Sequence, residues 1–570
     1  MLHWSPFPIL CLLAGCHCGL GDDSNSDEPQ DSPPADTVES QPPDSVHGDT
    51  QDSAIDLYVE PEVYLTPHDL SPGDRATIHY RGQLAGQAAL GIRYGFNGYN
   101  EVEGIDDYLT TTHYANEDYY LEDGMTPVDG GFDYELDIPA DARSVHFDFF
   151  TGEDPHRVED DRDGWGYHHG VVFPYIGPFL TWNDQTPAET GVVVNFETSL
   201  SCLGTVEFGT DATLGRRRLG ETTQRIHHIE LTGLQPDTTY YYRVLDALDR
   251  SSETYSFETA ALDVDGFSFL VAADMQDHGD GGDRHWSEVA QEMVGSHSDA
   301  ALIVLPGDLA LDNLPGDWWT YFDKARELFA GRVLVPSVGN HDTPTDLHDP
   351  DESVFLAYFE LPEPFGGDAV YRVDYGPAAF LAFNSEVEDE FASGGRQYVA
   401  AEDQLAALQA DAAIRWVFAH WHTPPYNAGD RFPAAQQATH RELTTHFEGT
   451  VDWVFTGHEH LYQRSYPLIY EGLIAPSYGT GEGQGVGYMV LPPAGIRQYD
   501  QVVSGESPLA HHRGWMDYPA MPSGGTTVDA ELGFVAVSIQ DEHITLDCYG
   551  MGTDDNPRSA HLIDTVSYSK

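Results

Sequence analysis

Val451-Asp452-Trp453-Val454-Phe455-Thr456-Gly457-His458-Glu459-His460 is an apolar run that breaks at a glycine and delivers two histidines. The same layout occurs four more times. Phe267 to Ala273 precedes Asp274-Met275-Gln276, Ala301 to Leu305 precedes Gly307-Asp308, and Arg332 to Val335 precedes Gly339-Asn340-His341-Asp342. Ile414 to Ala419 precedes His420 and His422-Thr423-Pro424-Pro425-Tyr426. Short apolar runs bounded in this way read as buried strands. Amphipathic stretches from Trp318 to Ala330, Ala401 to Ala412 and Ala434 to Phe447 lie between them. Strands alternating with helices imply mostly parallel pairing, and such sheets present ligands beyond the carboxyl ends of their strands. Asp274, Asp308, Asn340, His422, His458 and His460 are therefore expected to converge. Mixed oxygen and nitrogen donors of this kind suit zinc, iron(II) or manganese, and two divalent ions around a shared carboxylate suit hydrolysis of phosphate esters.

The set resembles the calcineurin-like metallophosphoesterase superfamily, most of all its purple acid phosphatase branch, over roughly residues 172–550. Gly457-His458-Glu459-His460-Leu461-Tyr462-Gln463-Arg464-Ser465 is close to that branch's signature. The resemblance implies an α/β fold, a two-sheet β-sandwich flanked by helices. It implies that Asp274 and His460 bind a first metal, that Asn340, His422 and His458 bind a second, and that Asp308 bridges the two. His341 would stabilise phosphate or the leaving oxygen, with Asp342 orienting its ring. A metal-bound hydroxide would attack phosphorus in line, without a covalent phosphoenzyme.

Two departures stand out. The purple enzymes carry a tyrosine three residues after the bridging aspartate, and here that residue is Leu311. A ferric tyrosinate is not expected, and Asp312 or Asn313 is left as a nearby substitute. Gln276 stands where the purple enzymes have glycine and many superfamily members have a metal-binding histidine, so the first metal site is poor in ligands. The family's paired histidines after the fourth motif are also missing. His420, His440 and His446 lie near it in sequence, and none is assigned as proton donor.

The preceding regions bear on partners. Residues 1–20 contain an apolar run, and Leu13-Ala14-Gly15-Cys16 looks like a bacterial lipobox with Cys16 as the lipidated residue, although Lys and Arg are missing before it. The expectation is export, as an envelope lipoprotein or a secreted protein, with membrane attachment only through that anchor. The run is too short to span a bilayer as a helix. Residues 21–54 are rich in Asp, Ser and Pro and read as a disordered acidic tether.

Residues 55–170 alternate as a β-sandwich. Tyr94 to Tyr99 and Asp161 to Tyr167 resemble starch-binding modules, with Trp165 as a sugar platform and a glycan as partner; a plain sandwich whose aromatics are core is the alternative. Residues 172–262 resemble the fibronectin type III-like domain that precedes purple phosphatase domains, with Tyr240 or a neighbour as its corner tyrosine. The catalytic domain is expected over 263–570, behind these two β-domains.

The chain has 570 residues, 95 acidic against 26 Lys plus Arg, and a formal charge of −69. Such a field repels nucleic acid and anionic membrane surfaces. Cys202 and Cys548 either pair or are two isolated small side chains. The leading reading is an exported phosphomonoesterase. A phosphodiesterase of the same superfamily and a non-catalytic glycan-binding protein with a degenerate metal site stay open.

Overall fold

The computed structural model describes residues 62–97, 109–110, 117–118, 120–152, 158–160, 167–276, 285–311, 313–343, 352–427, 434–470, 473–496, 501–502, 516–517, 527–528, 531–553 and 556–570. The lipobox, the acidic tether, Trp165 and Asp312 lie outside them. No described helix is long and apolar enough to cross a membrane.

Residues 62–170 form two antiparallel sheets around one core. Arg75–Tyr80 alternates exposed and buried positions, turning Ala76, Ile78 and Tyr80 inward, as the two-residue period of a strand requires. They meet Ile92, Phe147 and Phe149 of the second sheet. The described aromatics of the expected sugar platform belong to this packing. Phe96 is buried in the core and Tyr94 packs against it, its hydroxyl accepting from that of Tyr134 at 3.2 Å.

The next seven strands form a second pair of sheets. Tyr240 is buried, and its hydroxyl accepts the Gln235 N–H at 2.9 Å, the contact expected of a corner tyrosine. Sheet pairing continues across the boundary expected near residue 262. Ile176–Thr181 is buried at every position and pairs in parallel with Val333–Ser337 through Leu180 and Val333. One nine-stranded sheet therefore runs from this region through the strands that carry the site. A strand buried on both faces is suited to the middle of a sheet. A polar knot adds to the junction: the Glu197 carboxylate meets His168 Nε2 at 2.9 Å, an Arg225 guanidinium nitrogen at 3.1 Å and the Tyr358 hydroxyl at 3.1 Å.

In the nine-stranded sheet, Gly266–Val271, Ala300–Pro306 and Val333–Ser337 run parallel, and Gly533–Gln540 joins antiparallel. In the facing seven-stranded sheet, Ala378–Ala382, Trp416–His420, Trp453–Thr456 and Gly487–Val490 are parallel neighbours. Phe269 of the first sheet meets Phe380 and Phe418 of the second at ring distances of 5.1 and 5.0 Å. Helices His285–Ser296 and Pro315–Lys324 cover the outer face of the first sheet, and Arg396–Ala410 and Ala434–Leu443 that of the second. The helix expected from Trp318 to Ala330 is two helices, because Ala325 leaves helical geometry at φ −116° and ψ 18°. Cys202 and Cys548 are both buried and unpaired, so the disulfide alternative is withdrawn.

The end of the quoted motif is structural. Tyr462 Oη and Arg464 Nε donate to one Asp564 oxygen at 2.7 and 2.6 Å, pinning the motif to the C-terminal strand. Arg464 is raised above its ordinary pKa by its bonds to Asp564 and the nearby Tyr478 and Tyr462 hydroxyls, against the opposing effect of burial. Removing one partner of a buried pair leaves the other uncompensated, at a cost of roughly 3–5 kcal/mol. Asp564→Ala is expected to lower the unfolding free energy by that much, read as a lower denaturant midpoint at an unchanged m-value. A loss below about 1 kcal/mol would place the clamp among weak surface pairs.

Candidate metal centre

All five motifs meet at one edge of the two-sheet sandwich, each just past its strand. Asp274, Asp308, His458 and His460 adopt positive φ values of 57°, 53°, 72° and 39°. Non-glycine residues held there carry about 1–3 kcal/mol of strain each, and such turns bend the chain sharply after each strand. Two glycines explain the motif spelling. A side chain on Gly339 would come within 2.3 Å of Asp308 Oδ1, and one on Gly457 within 2.7 Å of Asp274 Oδ2. Both contacts are too short for any real Cβ.

Asp308 is the hub. Its Oδ1 accepts the His341 backbone N–H at 3.0 Å, and its Oδ2 accepts Gln276 Nε2 at 2.5 Å and lies 3.0 Å from His422 Nε2. His422 Nδ1 donates to the Pro306 carbonyl at 3.1 Å, which turns Nε2 toward the centre. Around that nitrogen stand His458 Nδ1 at 3.1 Å and Asn340 Oδ1 at 3.2 Å; the latter two are 3.0 Å apart. On the other side, His460 Nε2 lies 3.6 Å from Asp274 Oδ1, which accepts the His458 backbone N–H at 2.8 Å.

Two donor groups result, Asp308 with His422 and His458, and Asp274 with Asp308 and His460, each with one donor atom per residue within 4.8 Å of the others. Asp308 belongs to both. Among the described residues the buried Asp274 Oδ2 and Gln276 Oε1 have no hydrogen-bond partner, which leaves the Asp274 oxygen available to an ion. The donor chemistry thus fits a two-ion centre.

The electrostatics point the same way. Burial and then the Asp308 charge push Asp274 up to about 7, although His422 acts against them. Burial would raise Asp308 too, but His422 and His341 outweigh it and hold it below the ordinary range. Burial opposes a charged His422, yet Asp308 and Asp274 lift it to about 10. Burial and the His422 charge keep His458 neutral.

Several expectations change. Asp342 does not orient the His341 ring. Its carboxylate accepts backbone N–H groups from Leu309, Ala310 and Gly339 at 2.8, 2.9 and 2.9 Å, tying together two motif loops. The His341 ring is held instead by Nδ1 donating to the Leu311 carbonyl. Asn313 is no substitute ligand, since its Oδ1 accepts from Trp318 Nε1 at 2.8 Å. His420 lies between the sheets against Ser337, His440 against the Ser385 carbonyl, and His446 against the Tyr398 ring.

One residue was overlooked. Glu386 is pushed up to about 6, by burial first, then by the Asp308 charge, against His422, its Ser385 hydrogen bond and His341. The signal was present: Asn384-Ser385-Glu386 closes the apolar run Ala378 to Phe383, repeating the motif layout.

Residues 267–462 match the calcineurin-like phosphoesterase family model, and residues 179–259 match the purple acid phosphatase N-terminal domain. Probable purple acid phosphatase 20 of Arabidopsis thaliana is 25% identical over 249 residues, 42% of this chain and 55% of that protein. The chain thus spans about half the length of the curated relatives it matches. A purple acid phosphatase, PPD1, from yellow lupin (Lupinus luteus) seeds shares the fold at TM-score 0.57 and 14% identity, over 89% of this chain and 95% of that one. The PhoD structure does so at TM-score 0.52 and 12% identity, over 70% and 91%.

A carboxylate raised to about 7 binds more protons in the folded than in the unfolded state between pH 4 and 7. Stability of the metal-free protein therefore falls as pH rises through that window, by on the order of 4 kcal/mol for this group. Thermal melts in chelator should show Asp274→Asn gaining on wild type from pH 4 to 7. Added metal should raise the wild-type melting temperature most at the high end, since binding displaces that proton. A wild-type-minus-variant difference that does not change with pH contradicts this assignment.

Proposed function

We propose that this member of the calcineurin-like metallophosphoesterase superfamily, on its purple acid phosphatase branch, hydrolyses phosphate monoesters at the Asp308 centre. The observation that carries the reading is the sharing of Asp308 between two donor groups whose donor atoms lie within 4.8 Å of one another. Asp274, Asp308 and His460 would hold one divalent ion, and Asp308, Asn340, His422 and His458 the other; zinc, iron or manganese suits these donors. When bound, such ions supply Lewis acidity toward phosphoryl oxygens and acidify water toward neutral pH.

The chain's own groups then position the substrate. His341, fixed by its backbone on Asp308 and its ring on Leu311, is assigned to the phosphoryl or leaving oxygen. Gln276, fixed by its amide on Asp308, borders the same space and orients water. Preference for monoesters is supported by the Gly457 to Ser465 signature and by the purple acid phosphatases among the relatives. Export as a lipoprotein attached through Cys16 is proposed from Leu13 to Cys16.

The test is metal content together with hydrolysis of p-nitrophenyl phosphate and bis-p-nitrophenyl phosphate. Wild type should hold about two ions per chain and prefer the monoester. Asp308→Ala and His458→Ala should each lose an ion and about 10³-fold in kcat/KM, the scale of losing a main electrostatic contributor. Preference for the diester would move the protein to the diesterase reading. Turnover unchanged in both variants would refute the site.

A further inference from the structure

We infer that Glu386 is the proton donor to the leaving oxygen, a further catalytic residue of the reaction proposed above, on which this inference rests. Three observations place it. The Ala378–Ala382 strand lies parallel beside Trp416–His420, with Ala382 opposite His420, and Phe383 N–H continues the pairing to the His420 carbonyl at 3.0 Å. Glu386 therefore leaves the same carboxyl edge as the centre, next to the loop that carries His422.

The segment is also built to hold still. Ser385 Oγ accepts the Thr423 N–H at 3.1 Å, directly after His422, and donates to Glu386 Oε1 at 2.9 Å. Asn384 Oδ1 accepts the Glu386 N–H at 3.1 Å, while Gln397 bonds both backbone groups of Asn384 at 3.0 and 2.7 Å. His440 approaches the Ser385 carbonyl at 3.3 Å from the far side. A surface glutamate needs no such scaffold.

Finally, Glu386 lies within the electrostatic reach of His422, Asp308 and His341. Of these three, His341 is assigned to the leaving oxygen. The half-buried Glu386 carboxyl is partly desolvated, which raises its proton affinity and suits a donor near neutrality. Of the three histidines that sequence left as candidates, His420 is engaged by Ser337 and His446 by the Tyr398 ring, while His440 is held on the Ser385 carbonyl.

The step balances without a further reactant. Water oxygen bonds to phosphorus as the P–O bond to the alcohol breaks. The Glu386 carboxyl proton passes to the departing oxygen, and a proton released by the attacking water returns to the carboxylate.

The experiment compares wild type, Glu386→Gln and Glu386→Asp on p-nitrophenyl phosphate, whose leaving group needs no proton, and on an alkyl phosphate, whose leaving group does. Metal content is measured in each protein, and inorganic phosphate binding to the metal-loaded proteins by calorimetry from pH 5 to 8. The Gln variant should keep its metals, lose less than tenfold on the aryl ester and at least 100-fold on the alkyl ester, within the range for general acid catalysis. Asp should recover part of that loss. Phosphate binding should weaken less with rising pH in the Gln variant, because no carboxylate charges beside the anion. Equal losses on both esters, or identical pH dependence of phosphate binding, would overturn the assignment. A wild type that turns over neither ester defeats the hydrolase reading itself and the donor role with it. The binding arm then shows separately whether Glu386 faces the anion.

Discussion

The site depends on the Asp308 carboxylate, which joins three other motifs. It is buried, strained at φ 53°, and engaged by a backbone N–H, an amide and an imidazole from three other motifs. Each of those partners comes from the end of a different strand. A displacement of Asp308 would therefore be felt in both sheets at once. Close packing of Phe269 on Phe380 and Phe418 behind the site prevents such a displacement, since packed interiors yield little.

That dependence explains the unusual local conformations. Positive φ angles and glycines without room for a Cβ are tolerated because the sheets behind them are deeply buried. The stability of the scaffold offsets the strain at the edge. The C-terminal strand contributes through Asp564, which holds Tyr462 and Arg464 and with them the turn bearing His458 and His460.

Much of this was legible in the sequence, because each motif follows an apolar run and strand ends place donors at one edge. Asp274, Asp308, Asn340, His422, His458 and His460 are brought together as that pattern requires. Three things were not legible. Asp342 and His341 are neighbours in sequence, but their partners come from the Asp308 loop, and only tertiary structure pairs them. Glu386 follows an apolar run as the other motifs do, but a lone glutamate after a strand resembles any solvated acid, so the layout by itself did not single it out. The continuous sheet through Leu180 and Val333 was hidden because an all-apolar strand does not reveal which neighbour it pairs with.

The central claim is that one carboxylate is shared by two ions. Crystals grown with zinc or manganese and measured at the metal's absorption edge test it most directly. The account predicts two anomalous peaks flanking Asp308, one contacted by Asp274 and His460, the other by Asn340, His422 and His458. A single peak that touches only one of the two groups, or none under saturating metal, would contradict it.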